Sequence, residues 1–556
     1  MTKISKDGAP LLSVRNLCVS IPALGGSVVN FVDMISFDLT VGSVTAMVGR
    51  SGSGKTLTAQ AVMGLLHRPG PTVVGGEIIF DGVDLLALTD QQLQSRRGKD
   101  LSMIFQDPAT HFDPVMSVGR QIAEPLRQHL RLSAREAYLG AEDLLNEVGF
   151  ANPRQVARAF SHELSGGQQQ RAMIAAAIAA KPRLLIADEP TSALDVTIQR
   201  QIIDLLENLR HRYNLTILLI SHDLTLVGNF ASDVIVMRNG SIVEQGNART
   251  ILTSPNSDYA RSMVDVQRRL AAGKRASARS ATPRGVKSST EFPVLGGKNL
   301  KKTYLRRLGW FRKSYFTAVS VPALNVYKGE TVGVVGESGA GKSTLAKLLV
   351  RLLEPSEGTI QISGRDVSQL TQRQFRPLRP LIQMIFQNPA GALNPDQTVR
   401  EILMEPMRIH RIGADETERK ILVAAMIERV GLSPAVLSRR PEQFSGGERQ
   451  RIAIARCLTL RPSIIVCDEC VSALDIQLQL QILDLLLDLQ EESGIGYVFI
   501  SHDLDAVRYM SDDIIVLKGG KVVEEGRAQA VFRNPRSSYA AELFASQHRR
   551  TLTCDR

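Results

Sequence analysis

Lys55 and Lys342 each close a run of the form G-x-x-x-x-G-K-[ST]: "TAMVGRSGSGKT" over 45–56 and "VGVVGESGAGKS" over 332–343. Each run begins apolar, passes through glycines and enters a helical pattern ("LTAQAVMGLL", "TLAKLLVRLL"). That is a strand, a tight loop and a helix N-terminus. Glycines let backbone N–H groups turn inward toward phosphate oxygens, and the helix end adds positive potential. Gly49, Ser51, Gly52, Ser53 and Gly54 would form one cradle. Gly336, Ser338, Gly339, Ala340 and Gly341 would form the other. Lys55 and Lys342 would reach the β- and γ-phosphates, and the hydroxyls of Thr56 and Ser343 would ligate Mg²⁺. Two matches in one chain, each after a strand and before a helix, make chance glycine-rich turns a poor explanation.

"RLLIADE" and "SIIVCDE" are short apolar runs ending in Asp-Glu. A parallel strand buried on both faces reads this way. Asp188 and Asp468 would hold Mg²⁺ through its water shell, and Glu189 and Glu469 would polarise an attacking water. The second stretch, "VCDECVSALD", has another reading, because Cys467 and Cys470 make a C-x-x-C pair that could bind metal or do redox chemistry. Its duplicate, "IADEPTSALD", keeps the acids and lacks the cysteines, so the acids carry the shared chemistry. A lone C-x-x-C also supplies only two of the four ligands zinc takes. Cys470 replaces Pro190, which would fix φ just after the glutamate. The second base is therefore expected to be competent but slightly looser.

These motifs recur at one offset of 280 residues. "LSGGQQQRAMIAAAI" (164–178) returns as "FSGGERQRIAIARCL", and "ILLISHDL" (217–224) as "YVFISHDL". "SPNSDYARSM" (254–263) returns as "NPRSSYAAEL". A register held this long implies duplication. We expect an α/β chain of two homologous P-loop domains, 1–265 and 291–556, joined by a basic tether over 266–290. The tether is rich in Ala, Ser and Arg and lacks apolar periodicity, so it should be flexible.

Bulk composition agrees. A chain of 556 residues, 44% hydrophobic and 22% charged, is long enough for two globular cores. The net charge of +11 is local: fourteen Lys or Arg and one Glu lie between Val266 and Lys313. That is better read as a solvated linker than as a nucleic-acid face. Five cysteines argue against a disulfide framework and suit a reducing compartment. No apolar run is long enough to cross a bilayer, and the first residues lack a signal peptide's apolar core. A cytosolic chain is expected.

"LSGGQQQR" and "FSGGERQR" narrow the field. They resemble the signature motif of ATP-binding cassette (ABC) ATPases, and the order of the other motifs matches that family over nearly the whole chain. The resemblance implies in each domain a RecA-like core with an inserted helical subdomain. It assigns Gln106 ("MIFQDP") and Gln387 ("MIFQNP") to the metal, and His222 and His502 ("ISHD") to the γ-phosphate. Asp195 and Asp475 end the shared "SALD". The family's geometry packs two cassettes head to tail around two ATP molecules. Ser165, Gly166 and Gly167 would then face the ATP held by Lys342, and Ser445, Gly446 and Gly447 that held by Lys55.

Smaller features resemble the ATPases of peptide and nickel importers. They are the glutamine-loop regions, the two C-terminal patterns and "KNLKKTYLRRLGWFRKSYFTAVSVPAL" before the second loop. The resemblance implies an energy-coupling subunit at the cytoplasmic face of an inner membrane, with no nucleic acid bound. Its partners would be two permeases and, indirectly, a periplasmic or lipid-anchored solute-binding protein. The solute would be a peptide, nickel chelate, opine or similar. The chain departs from many such ATPases in lacking a four-cysteine motif after the C-terminal pattern, so ATP and Mg²⁺ are expected without an iron–sulfur cluster. It departs again where an aromatic usually stacks on adenine: Tyr304 fits in the second domain, but alignment puts Ile21 in the first. The first site should then bind ATP more weakly. Tandem-cassette translation factors are the main alternative, but their linkers carry both charges and their "NHLD" is "SALD" here. DNA-repair cassettes carry inserted zinc-binding cysteine pairs, for which one C-x-x-C does not suffice.

Overall fold

The computed structural model describes residues 10–22, 28–66, 72–191, 194–273, 292–308, 312–471 and 474–548. They fall into two compact units, one up to Asp265 and one from Val266 to His548.

In the first unit a six-stranded sheet carries the motifs. Its parallel strands run in the order Asp233–Arg238, Val44–Gly49, Thr216–Ile220, Leu184–Asp188, Leu101–Ile104, with Ser241–Asn247 antiparallel at one edge. Val44–Gly49, Leu184–Asp188 and Thr216–Ile220 are buried along their whole length. Their unbroken apolar sequences follow from helices covering both faces. Because all three run parallel, their C-terminal ends meet on one edge, and there the Gly-rich loop, Asp188-Glu189 and His222 emerge. A second sheet, built from Leu12–Pro22, Val28–Leu39, Val73–Phe80 and Val83–Asp84, is antiparallel.

Between the strand Leu101–Ile104 and the strand Leu184–Asp188 the chain builds helices. Val118–Leu130, Ala134–Glu147 and Gly166–Ile178 bury Ile122, Ala141, Leu145 and Ile174 in a common core. Ser133 and Glu136 close the second of these with a reciprocal capping box.

The second unit repeats this plan. Thr331–Val335, Ile464–Asp468 and Gly496–Ile500 are the fully buried parallel strands, and Val399–Ile409, Glu416–Arg429 and Gly446–Leu458 the helices. Here the two sheets join into one of ten strands through a single pairing of Ser320 with Lys521.

The tether differs from expectation at its start. The helix Asp258–Ala272 runs seven residues into it, and Leu270 is buried in the second unit's core with Val266 packed beside it. Val266 and Leu270 stand one helical turn apart, a periodicity the surrounding basic residues obscured. The rest of the tether, 274–290, lies outside the described residues, as does Cys554.

Candidate active site

The helix Lys55–Val62 starts directly from the first loop, and Lys342–Leu349 from the second. The residue before each lysine must be glycine. Gly54 has φ +98° and Gly341 φ +96°. A Cβ there would lie 2.7 Å from the Phe31 carbonyl oxygen, or 2.3 Å from that of Ala318. Lys55 Nζ is buried and donates to the carbonyls of Gly49 and Arg50, both at 2.9 Å. Lys342 Nζ donates to Gly336 at 2.7 Å and to Glu337 at 2.9 Å.

Behind each loop stands the acidic strand end. Thr56 Oγ1 lies 3.4 Å from Asp188 Oδ1, and Ser343 Oγ 3.1 Å from Asp468 Oδ1. Burial pushes the Asp188 carboxyl up to about 6, against the pull of the Thr56 hydroxyl, and raises Asp468 likewise. A buried carboxylate beside a hydroxyl, with no cation paired to it tightly enough to offset burial, gains from a bound divalent ion. Each pair therefore fits Mg²⁺, the hydroxyl as a direct ligand and the carboxylate through the ion's water shell, leaving phosphate and water to supply the rest.

The glutamates sit in left-handed backbone, Glu189 at φ +45° and Glu469 at φ +51°. Bulky residues rarely adopt this conformation, and it marks a strained, over-determined position. What holds it is the same in both units. The Glu189 N–H donates to Ile220 O at 3.0 Å and that of Glu469 to Ile500 O at 2.9 Å. Gln106 Nε2 donates to Glu189 at 2.9 Å, and Gln387 Nε2 to Glu469 at 2.8 Å. His222 Nδ1 is 3.3 Å from Glu189, and His502 Nδ1 3.2 Å from Glu469. Burial acts to raise each glutamate, but hydrogen bond and charge from the histidine, with the lysine and glutamine behind them, lower it overall. Each histidine is raised in turn by its glutamate, against its own burial. Each member of the pair thus favours the charged form of the other.

Gln106 and Gln387, expected at the metal, hydrogen-bond the glutamates here. Glu469 has the φ and the partner distances of Glu189, although Cys470 stands where Pro190 does. Cys467 and Cys470 are buried. The hydrogen bond from Cys470, together with burial, holds the Cys467 thiol well above its ordinary range, and burial pushes neighbouring Cys457 up to about 11. Thiols that stay protonated are poor nucleophiles and poor metal ligands.

The signature serines act locally as helix caps. Ser165 accepts from the Gln168 N–H, and Ser445 from the Glu448 N–H, with the side chains of Gln168 and Glu448 returning the bond. A Cβ at Gly166 would meet only Leu194, at an ordinary 3.9 Å. Gly167 is tighter: a Cβ there would meet Ile198 at 2.8 Å, and one at Gly447 would meet Leu478 at 3.0 Å. Asp195 and Asp475 cap the helices Val196–Tyr213 and Ile476–Ser493 that bring Ile198 and Leu478 there.

Tyr304 is 41% exposed and pairs across the hairpin with Phe316. Ile21 pairs with Val29. Asn16 and Asn299 both have φ +49°, which fixes the alignment of the two strands. Sequence reasoning missed Phe31. Phe31 and Ala318 are each the extra residue of a bulge in this hairpin, and each sets its carbonyl against the last loop glycine. A bulge re-aims the side chain it carries. Ala318 is 8% exposed, whereas Phe31 is 39% exposed beside the loop. The first site thus lacks the ring at Ile21 but has another on the adjacent strand.

A family model described as ABC transporter matches residues 32–192 and 320–472. The chain is 42% identical over 542 residues to "Peptidoglycan transport ATP-binding protein YejF" of Agrobacterium fabrum, covering 97% of this chain and 96% of that protein. It is 39% identical over 563 residues to "Glutathione import ATP-binding protein GsiA" of Escherichia coli, covering 97% and 90%. Among solved structures, the dimeric ATP-binding cassette MJ0796 bound to ADP and Pi aligns with 42% of this chain and 98% of its own, at 32% identity and a TM-score of 0.39.

Proposed function

Since this chain belongs to the ABC transporter family, as the ATP-hydrolysing subunit that powers a membrane importer, we propose that it drives uptake of peptides or peptide-like solutes. The carrying observation is the duplicated site: two loop lysines, two hydroxyl–aspartate pairs and two Gln–Glu–His sets, all complete. The names of the relatives support the solute class, since peptidoglycan fragments and glutathione both contain peptide bonds.

The roles we assign are supported by these placements. Lys55 and Lys342 leave their loop carbonyls to bind the β- and γ-phosphates. Ionised Glu189 or Glu469 accepts a proton from the water that attacks the γ-phosphorus in line, and ADP departs. Protonated His222 or His502 holds that carboxylate and donates toward the γ-phosphate oxygens. Gln106 orients the carboxylate oxygen that His222 leaves free, and Gln387 donates to the same Glu469 oxygen as His502. Mg²⁺ bound at Thr56–Asp188 and Ser343–Asp468 would neutralise phosphate charge. Catalysis is thus positioning and charge stabilisation. Tyr304 stacks on adenine in the second site.

We place the two cassettes head to tail, so that Ser165, Gly166 and Gly167 complete the site of Lys342, and Ser445, Gly446 and Gly447 that of Lys55. The Gly166 and Gly446 helix starts supply N–H groups suited to a phosphate. ATP binding would close this pair, and phosphate release would open it. Among the described residues no helix is long and apolar enough to cross a membrane. The chain therefore works against permeases at the inner membrane's cytoplasmic face, and a solute-binding protein delivers the cargo. In the second unit a groove of about 360 Å³ is lined by Gln397, Glu405, Ile409, His410 and by Phe386, the residue before Gln387. It suits a permease segment whose engagement must be felt at the site. We expect no iron–sulfur cluster, since no four-cysteine motif follows either C-terminal pattern.

The test is purification from detergent-solubilised membranes, followed by ATP-driven uptake of a labelled tripeptide into vesicles. Two polytopic permeases should co-purify. Salt-sensitive sedimentation with ribosomes, without permeases, would overturn the importer reading.

A further inference from the structure

The repeated C-terminal pattern has no role in the chemistry above, yet both copies end at a phosphate loop. Tyr259 and Tyr539 are buried, at 7% exposure each. The Tyr259 hydroxyl accepts from the Arg50 N–H at 3.1 Å, and the Tyr539 hydroxyl accepts from the Glu337 N–H at 3.2 Å. Arg50 and Glu337 immediately follow the first glycine of each loop.

Those two residues anchor their loops. The Arg50 carbonyl accepts from the Ser53 N–H at 3.1 Å and from Lys55 Nζ at 2.9 Å. The Glu337 carbonyl accepts from the Ala340 N–H at 3.1 Å and from Lys342 Nζ at 2.9 Å. When phosphate arrives the lysine must let go of the loop. The tyrosine bond does not compete with phosphate and can persist.

Each tyrosine is itself braced. Arg238 lies over the Tyr259 ring at 5.2 Å, and Lys518 over Tyr539 at 4.3 Å. Glu244 accepts the backbone N–H groups of Asn256 at 2.8 Å and Ser257 at 2.9 Å, and the Ser257 hydroxyl at 2.7 Å. Glu524 accepts those of Arg536 at 2.8 Å and Ser537 at 2.9 Å. Burial opposes ionisation of Glu244, but the two backbone bonds and the serine outweigh it and hold the carboxyl low. A chain of bonds thus runs from the strand Ser241–Asn247 through the tail to the loop, and again from Lys521–Arg527.

We propose that Tyr259 and Tyr539 are positioning residues of the two phosphate loops, holding each open for nucleotide once its lysine is withdrawn. The inference rests on the loops binding ATP. Tyr→Phe removes the hydroxyl and keeps the ring under its cation. In the full-length chain, Tyr259→Phe with Tyr539→Phe should weaken MgATP binding about 2–10-fold, the worth of one neutral hydrogen bond per site. KM for ATP should rise in step, with kcat within about two-fold and the melting temperature without nucleotide unchanged. Tyr259→Phe alone should affect only the first site, read as binding at the remaining stoichiometric half. Unaltered affinity in the double variant overturns the proposal. So does a lowered melting temperature with unaltered affinity, which would make the tyrosines merely structural. A parent chain that fails to bind MgATP would instead sink the ATPase reading itself.

Discussion

At the scale of single residues, the glutamate–histidine pairs make the sharpest predictions. Glu189→Gln and Glu469→Gln should each cut turnover at their own site by about 10²-fold or more while leaving ATP bound. Because Glu469 has the partners and backbone of Glu189, the two losses should be equal, and Cys470→Pro should change neither. Site-resolved single-turnover hydrolysis checks both statements. The ionisation of the pair has a defined pH window. Each histidine is raised in the fold, so its stabilising share is complete below the ordinary value of 6.5 and is lost as pH rises through the folded value. Each glutamate is lowered, so its share is present above the ordinary 4.5 and is lost as pH falls through the folded value. The pair is therefore complete between about pH 4.5 and 6.5 and weakens on either side. In an NMR titration, Glu189→Gln should drop the His222 pKa below its ordinary value, since burial and the Lys55 charge then act against the smaller pull of Asp223 alone. These pairings were only partly legible in the sequence. Motif spacing named Gln106, Glu189 and His222 separately, but their mutual contacts depend on a left-handed glutamate, which no residue type announces.

At the scale of elements, the strands were the most readable part, because burial on both faces forces unbroken apolar runs that stop at the chemistry. The loop-to-helix junction was equally plain, and its glycines are not equivalent. Gly54→Ala should abolish ATP binding at the first site, since a Cβ meets backbone that cannot yield. Gly52→Ala has open space and should cost only its φ of +79°, about 1 kcal/mol. Isothermal titration of the two variants separates the cases. The hairpin bulges were illegible. Nothing in its sequence context distinguishes Phe31 from its neighbours; only the extra position beside the loop does. Phe31→Ala should weaken the first site by up to about 1 kcal/mol, about five-fold, and leave the second unchanged. The helix that ends at Ala272 shows the opposite failure, where a run of arginines hid an apolar spacing of four.

At the scale of the whole molecule, one chain holds two near-identical catalytic sets in two units that differ in detail. The fixed offset of 280 residues made the duplication visible, while its asymmetries required coordinates. In the second unit the two sheets join through Ser320 and Lys521, and in the first they are separate. Chemistry at the γ-phosphate is duplicated closely, and the walls expected beside the base are not. One wall has Ile21, Val29 and an exposed Phe31, and the other Tyr304, Phe316 and a small Ala318. A nucleotide enlarged at its purine should therefore be tolerated unequally. A photoreactive N6-substituted analogue would label one half of the polypeptide in preference to the other, and tryptic mapping would say which. Such a reagent would allow the firing order of two otherwise indistinguishable engines to be followed in a single intact importer.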